Sequence, residues 1–166
     1  AEFPTSFDAA KASHENGMSV LMGAPNIVRG KSHSGNIAAR DLAERGVLDV
    51  LSSDYVPLSL LYAPFLIADE VESISLPKAI AMVTSTPART VSLNDRGRSA
   101  SGARAGRVGV CRDGGGPVSR SGWREGRRVG GPRAKPTART SPMSWPAPRT
   151  GSWWSWSAPP APARTR

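Results

Sequence analysis

Between Met22 and Tyr55 the chain sets an acid, a histidine, two cations, two amides and a tyrosine just beyond two short apolar runs. Asp54 and Tyr55 follow Val47-Leu-Asp-Val-Leu51, whereas Asn26, Arg29, Lys31, His33, Ser34 and Asn36 follow Ser19-Val-Leu-Met22. An aspartate at the C-terminal edge of a strand can ligate a metal ion or accept a proton, and His33 can do either as well. The run Arg29-Gly-Lys-Ser-His-Ser-Gly-Asn36 joins cations and hydroxyls to two glycines that let backbone amides turn inward, a cradle for phosphate oxygens that is looser than a true phosphate loop. Each group has a plainer role open to it. Asp54 could cap a helix or close a turn, His33 could be a surface histidine, and the loop could be a solvated basic stretch.

These groups need a scaffold that brings two loops together. Both apolar runs have the length of short strands, one closed by Gly23 and the other by Ser52-Ser53-Asp54. Between them Ile37 to Arg45 carries Ile37, Ala38, Leu42 and Ala43 at helical spacing and stops at Gly46. A strand, loop, helix, strand unit makes the two strands parallel, and parallel α/β folds collect reactive groups in the loops after the C-terminal ends of their strands. The same reading predicts strands near 1–3, 18–22 and 47–51. Helices are predicted at 5–16, 37–45, 58–68 (interrupted at Pro64) and 76–86, with Pro87 closing the last.

Five stretches carry a family likeness: Ala1-Glu-Phe-Pro-Thr5, Met22-Gly-Ala-Pro-Asn-Ile-Val-Arg-Gly30, Ser32-His-Ser-Gly-Asn36, Leu51-Ser-Ser-Asp-Tyr-Val-Pro57 and Leu76-Pro-Lys-Ala-Ile80. Up to about Arg96 the chain resembles the C-terminal part of the diphosphatases of the carbon-phosphorus lyase pathway. Those enzymes are amidohydrolase-type proteins acting on a ribose 1-methylphosphonate 5-triphosphate. The resemblance implies the C-terminal part of a metal-dependent (β/α) TIM barrel that releases pyrophosphate, with zinc or a similar divalent ion as cofactor and a phosphorylated sugar as substrate. It places Asp54 at the family's last-strand aspartate, as metal ligand or proton acceptor with His33 beside it. Asn26, Arg29, Lys31, Ser34, Asn36 and Tyr55 become the substrate-binding set, and Lys31 stands where the family carries glycine.

Length agrees with a part. A complete (β/α) barrel takes about 250 residues, against 166 here, and His14 and His33 do not form the His-x-His pair that amidohydrolases carry on an early strand. The expectation is therefore an inactive fragment of such an enzyme. Charge divides the chain further: residues 1–96 hold eight Lys/Arg against eleven Asp/Glu, whereas 97–166 hold fourteen against two. The basic excess belongs to the second part, so nucleic acid is not an expected partner of the patterned part. The competing function is a non-catalytic basic protein whose tail binds nucleic acid, with Trp153, Trp154 and Trp156 as stacking groups.

Three segments follow from this: a partial barrel over 1–93, the remnant of a small β-sandwich over 94–130, and a tail over 131–166 expected to be disordered. The remnant keeps Asp95-Arg-Gly97, Gly102-Ala-Arg-Ala105 and Trp123-Arg-Glu-Gly-Arg-Arg-Val129 but has few apolar residues between them, so little order is expected. The tail has a second reading. Back-translated in a shifted frame, Trp153 to Thr165 permits Leu-Val-Val-Val-Val-Gly-Pro-Ser-Gly-Ala-Gly-Lys-Asp, which resembles the opening strand and phosphate loop of the ribose 1,5-bisphosphate phosphokinases. An out-of-frame neighbouring gene is the origin this suggests. A single cysteine, Cys111, fits a cytoplasmic protein without an internal disulfide, and no apolar run of membrane-spanning length occurs. A homo-oligomer is left open.

Overall fold

The computed structural model describes residues 1–32, 35–114 and 116–130. Two strands form the first sheet, β1 (Leu21–Gly23) and β2 (Val50–Ser52), paired in parallel with Met22 opposite Leu51. Residues 1–3 run alongside β1, also in parallel, through a bridge between Glu2 and Leu21 and a hydrogen bond from Phe3 N to Leu21 O. Three consecutive segments thus point the same way, as the predicted crossovers demand, and the arrangement is α/β.

The helices that return the chain are short. Helix α1 (Phe7–Glu15) begins at Ser6, whose hydroxyl accepts from Ala9 N, and Asp8 complements its first turn. Helix α2 (Ala24–Arg29) starts directly after β1, with Pro25 in its first turn and Gly30 at φ 71° closing it. The sequence had suggested a loop there. Helix α3 (Ala39–Glu44) leads into β2, and α4 (Ser59–Glu70) follows it as one helix that runs through Pro64 rather than breaking there. Pro64 is itself fully buried, so its ring packs into the core while one backbone donor is forgone. The predicted helix 76–86 is two helices, α5 (Leu76–Ala81) and α6 (Ser85–Thr90). Pro87 lies in the first turn of α6, where its missing N–H costs nothing, so it does not terminate the preceding helix.

The core lies between sheet and helices. Val20, just ahead of β1, and Met22 and Leu51 from the strands meet Ala24 and Ile27 of α2, Leu42 of α3, Ile67 of α4 and Met82, all buried. The Leu51 amide donates to Met82 O, which covers the outer edge of β2. At the opposite, N-terminal end of the strands Asp49 ties two elements together: Oδ2 accepts from Val20 N at 2.8 Å and Oδ1 lies 3.3 Å from Nε2 of His14 on α1. Asp49 thus links the backbone ahead of β1 to α1 at the end of the sheet away from the strands' C-terminal edge.

Three strands form after residue 106, against the expectation of little order. Strands β3 (Arg107–Asp113), β4 (Gly116–Arg124) and β5 (Arg127–Gly130) make an antiparallel meander. Glu125 and Gly126, at φ 52° and 76°, turn the chain between β4 and β5 in the left-handed pair that suits a two-residue hairpin. The sparse apolar content shows in burial instead: Val108 and Val129 are exposed and only Pro117 is buried in these strands. Arg112 docks the sheet on α4, reaching both carboxylate oxygens of Asp69 and lying over the Phe65 ring. The carboxylate holds that guanidinium above its ordinary pKa by hydrogen bonding first and charge attraction second. The predicted disordered tail, its nucleic-acid role and its out-of-frame reading all fall on 131–166, outside the described residues. Among the described residues no helix is long and apolar enough to cross a membrane.

Candidate functional site at the strand ends

The C-terminal ends of all three parallel segments open on one cavity of about 180 Å³. Phe3 and Pro4 line it after the first segment, Met22 and Gly23 at the end of β1, and Asp54 and Tyr55 after β2. Pro25, Asn26 and Arg29 of α2 form its wall, with Ser32 and Asn36 from the following loop. Five residues expected from sequence therefore meet: Asn26, Arg29, Asn36, Asp54 and Tyr55. Ser32 belongs to the run read as a phosphate cradle, whereas Phe3 and Pro4 were not foreseen, coming from a segment too short to carry a periodic signal.

Asp54 is the acid of this cavity, and two features fix its position. Its backbone lies at φ 47°, in the left-handed region that costs a residue with a Cβ on the order of 1 kcal/mol or more. Its carboxylate rests against Gly23, where an added Cβ would lie 2.8 Å from Oδ2 and 3.2 Å from the Asp54 Cβ. Gly23 has an ordinary extended backbone, φ −72° and ψ 128°. The glycine is there for room, not for its dihedrals. Asp54 is exposed, and among the described residues no hydrogen bond or ion pair engages its carboxylate.

The cation of the cavity is Arg29, the last residue of α2, whose Nη1 donates to the Tyr55 hydroxyl. Asn26 lines the cavity and also braces a helix: its Oδ1 accepts from Ala39 N at 2.9 Å. That bond satisfies a donor in the first turn of α3, a helix that has no side-chain cap of its own. Asn26 thus ties α2 to the start of α3. Lys31 is exposed and does not line the cavity. His33 and Ser34 lie outside the described residues.

A divalent ion would find one carboxylate among the residues that line this cavity, that of Asp54. Among the described residues no three His, Cys, Asp or Glu side chains cluster closely enough to hold a metal ion. The cavity by itself therefore fits one ligand of such an ion rather than a complete site.

No family model and no solved structure matches the chain. A curated protein of Escherichia coli (strain K12), alpha-D-ribose 1-methylphosphonate 5-triphosphate diphosphatase, is 53% identical over 130 residues, covering 78% of this chain. The match takes in 34% of that protein, so the chain spans about a third of the length of its relative. Over the matched residues the chain belongs to the family of the alpha-D-ribose 1-methylphosphonate 5-triphosphate diphosphatases.

Proposed function

We propose that this chain is the part of a diphosphatase that supplies the strand-end acid and a polyphosphate-binding cation, and that the whole protein cleaves pyrophosphate from a ribose 5-triphosphate carrying a methylphosphonate. The observation that carries this reading is the meeting of Asp54 and Arg29 in one cavity at the ends of parallel strands. In that reading residues 1–93 are part of a (β/α) barrel and 94–130 belong to a small accessory β-subdomain, with a phosphorylated sugar as the substrate.

The chemistry asks for two things. Phosphoryl transfer depends on placing the nucleophile and neutralising charge on the transferring group. Arg29 is set to take phosphate oxygens, since a guanidinium donates two parallel hydrogen bonds to such an acceptor. Asp54 is set to take a proton from the attacking water, within a turn that its contact with Gly23 keeps in place. A divalent ion bound in the whole enzyme would polarise the phosphate; Asp54 would be its one ligand among the residues described here. Asn26 keeps the cavity wall in register, and Tyr55 holds Arg29.

The test is a chimera. The matched third of the Escherichia coli diphosphatase is replaced by the corresponding residues of this chain, and pyrophosphate release is assayed on the triphosphate. Turnover at a rate near that of the parent enzyme is expected. A folded chimera that binds substrate and releases no pyrophosphate would remove the support for this function.

A further inference from the structure

We propose that the Tyr55 hydroxyl is a placeholder on Arg29: it occupies the position that an oxygen of an entering polyphosphate takes over, so that Tyr55 lowers the resting affinity of the cavity and is released when ligand binds. The inference rests on the reading of this cavity as a polyphosphate site and adds a residue that governs its occupancy.

Arg29 is a cation facing a cavity, and among the described residues no carboxylate pairs with it. Its partner is a neutral phenol, donated to by Nη1. A guanidinium bonds an anionic oxygen roughly twice as strongly as a neutral one, so phosphate wins the exchange once it is present. Asp54, the acid of the cavity, is not its partner: that carboxylate rests against Gly23. Tyr55 is also free to leave: it is 59% exposed, and apart from the Arg29 bond nothing among the described residues holds its hydroxyl. Rotation of its side chain toward solvent opens the guanidinium without moving the backbone.

The experiment is a pyrophosphate titration by calorimetry on the full 166-residue chain, at fixed ionic strength, for the parent, Tyr55→Phe, Arg29→Ala and the double variant. Removal of the placeholder in Tyr55→Phe is expected to tighten binding by about three- to tenfold, the range for one ordinary net hydrogen bond, since water takes over part of the exchange at an exposed phenol. Arg29→Ala is expected to weaken it by about tenfold or more, and the double variant to match Arg29→Ala alone. If Tyr55→Phe weakens binding or leaves it unchanged while Arg29→Ala still weakens it, the placeholder is overturned and the polyphosphate site stands. If pyrophosphate fails to bind, or binds with no loss in Arg29→Ala, the site itself is overturned and the placeholder with it. Tyr55 is exposed and Arg29 half-buried at the cavity wall, and a urea midpoint measured for each variant shows that the titrated protein is folded.

Discussion

Gly23→Ala is a one-carbon perturbation whose effect should change sign with the identity of residue 54. In the parent, the new Cβ would lie 2.8 Å from Asp54 Oδ2 and 3.2 Å from its Cβ, and the first distance is closer than such atoms approach. The carboxylate can swing outward, since Asp54 is exposed, but the Cβ contact is not relieved by side-chain rotation. Overpacking of this kind costs about 1–3 kcal/mol. Against it stands the stiffening of the unfolded chain on replacing glycine at an ordinary φ of −72°, which stabilises by about 0.4–1 kcal/mol. The net expectation is a loss of about 1 kcal/mol. With Asp54→Gly as background both clashing groups are gone, and the same substitution should stabilise by the second amount alone. Asp54→Gly should itself be tolerated or stabilising, because φ 47° suits glycine. Urea denaturation of the four proteins closes the cycle, with a coupling of about 1–3 kcal/mol expected between the two sites. Equal effects of Gly23→Ala in both backgrounds would refute the claim that Gly23 is the seat of the Asp54 carboxylate.

Two further substitutions test the frame around the cavity. Asp49→Ala leaves the buried Val20 amide without its acceptor and removes the partner of His14, so the urea midpoint should fall by the equivalent of about 1–3 kcal/mol with little change in slope, and Asp49→Asn, which keeps an acceptor oxygen, should lose less. Arg112→Ala breaks an exposed ion pair with Asp69 and a ring contact with Phe65, and thermal unfolding should register a loss of no more than about 1 kcal/mol, since both partners are half exposed and screened; a much larger loss would mean that the second sheet is an integral part of the core.

The parallel direction of the strands and the end at which the polar groups gather could be read from the sequence, because a helix between two apolar runs leaves little choice of topology. Short-range features were harder. Helix α2 carries a first-turn proline and a closing glycine, both legible signals, but its six residues are too few for a periodic apolar pattern. The break between α5 and α6 was hidden by Pro87, which ends one helix or opens the next with equal local logic. Strands β3 to β5 were undervalued because sheet formation there rests on backbone pairing and a left-handed Glu125-Gly126 turn more than on apolar burial. At the site, residue types were legible and contacts were not. That Gly23 seats Asp54, that Tyr55 holds Arg29 and that Asn26 braces Ala39 depends on approaches between loops separated in sequence, which no local pattern encodes.

The division of labour between Asp54 and Arg29 is tested most directly by steady-state kinetics of the chimeric diphosphatase bearing Asp54→Asn or Arg29→Ala. Asp54→Asn should lower kcat by about a hundredfold or more with KM little changed, as expected when a proton acceptor is lost and binding groups remain. Arg29→Ala should act chiefly on KM for the triphosphate. Retention of ordinary kcat by Asp54→Asn, in a protein that remains folded, would contradict the assignment of the strand-end acid to the chemistry of this site.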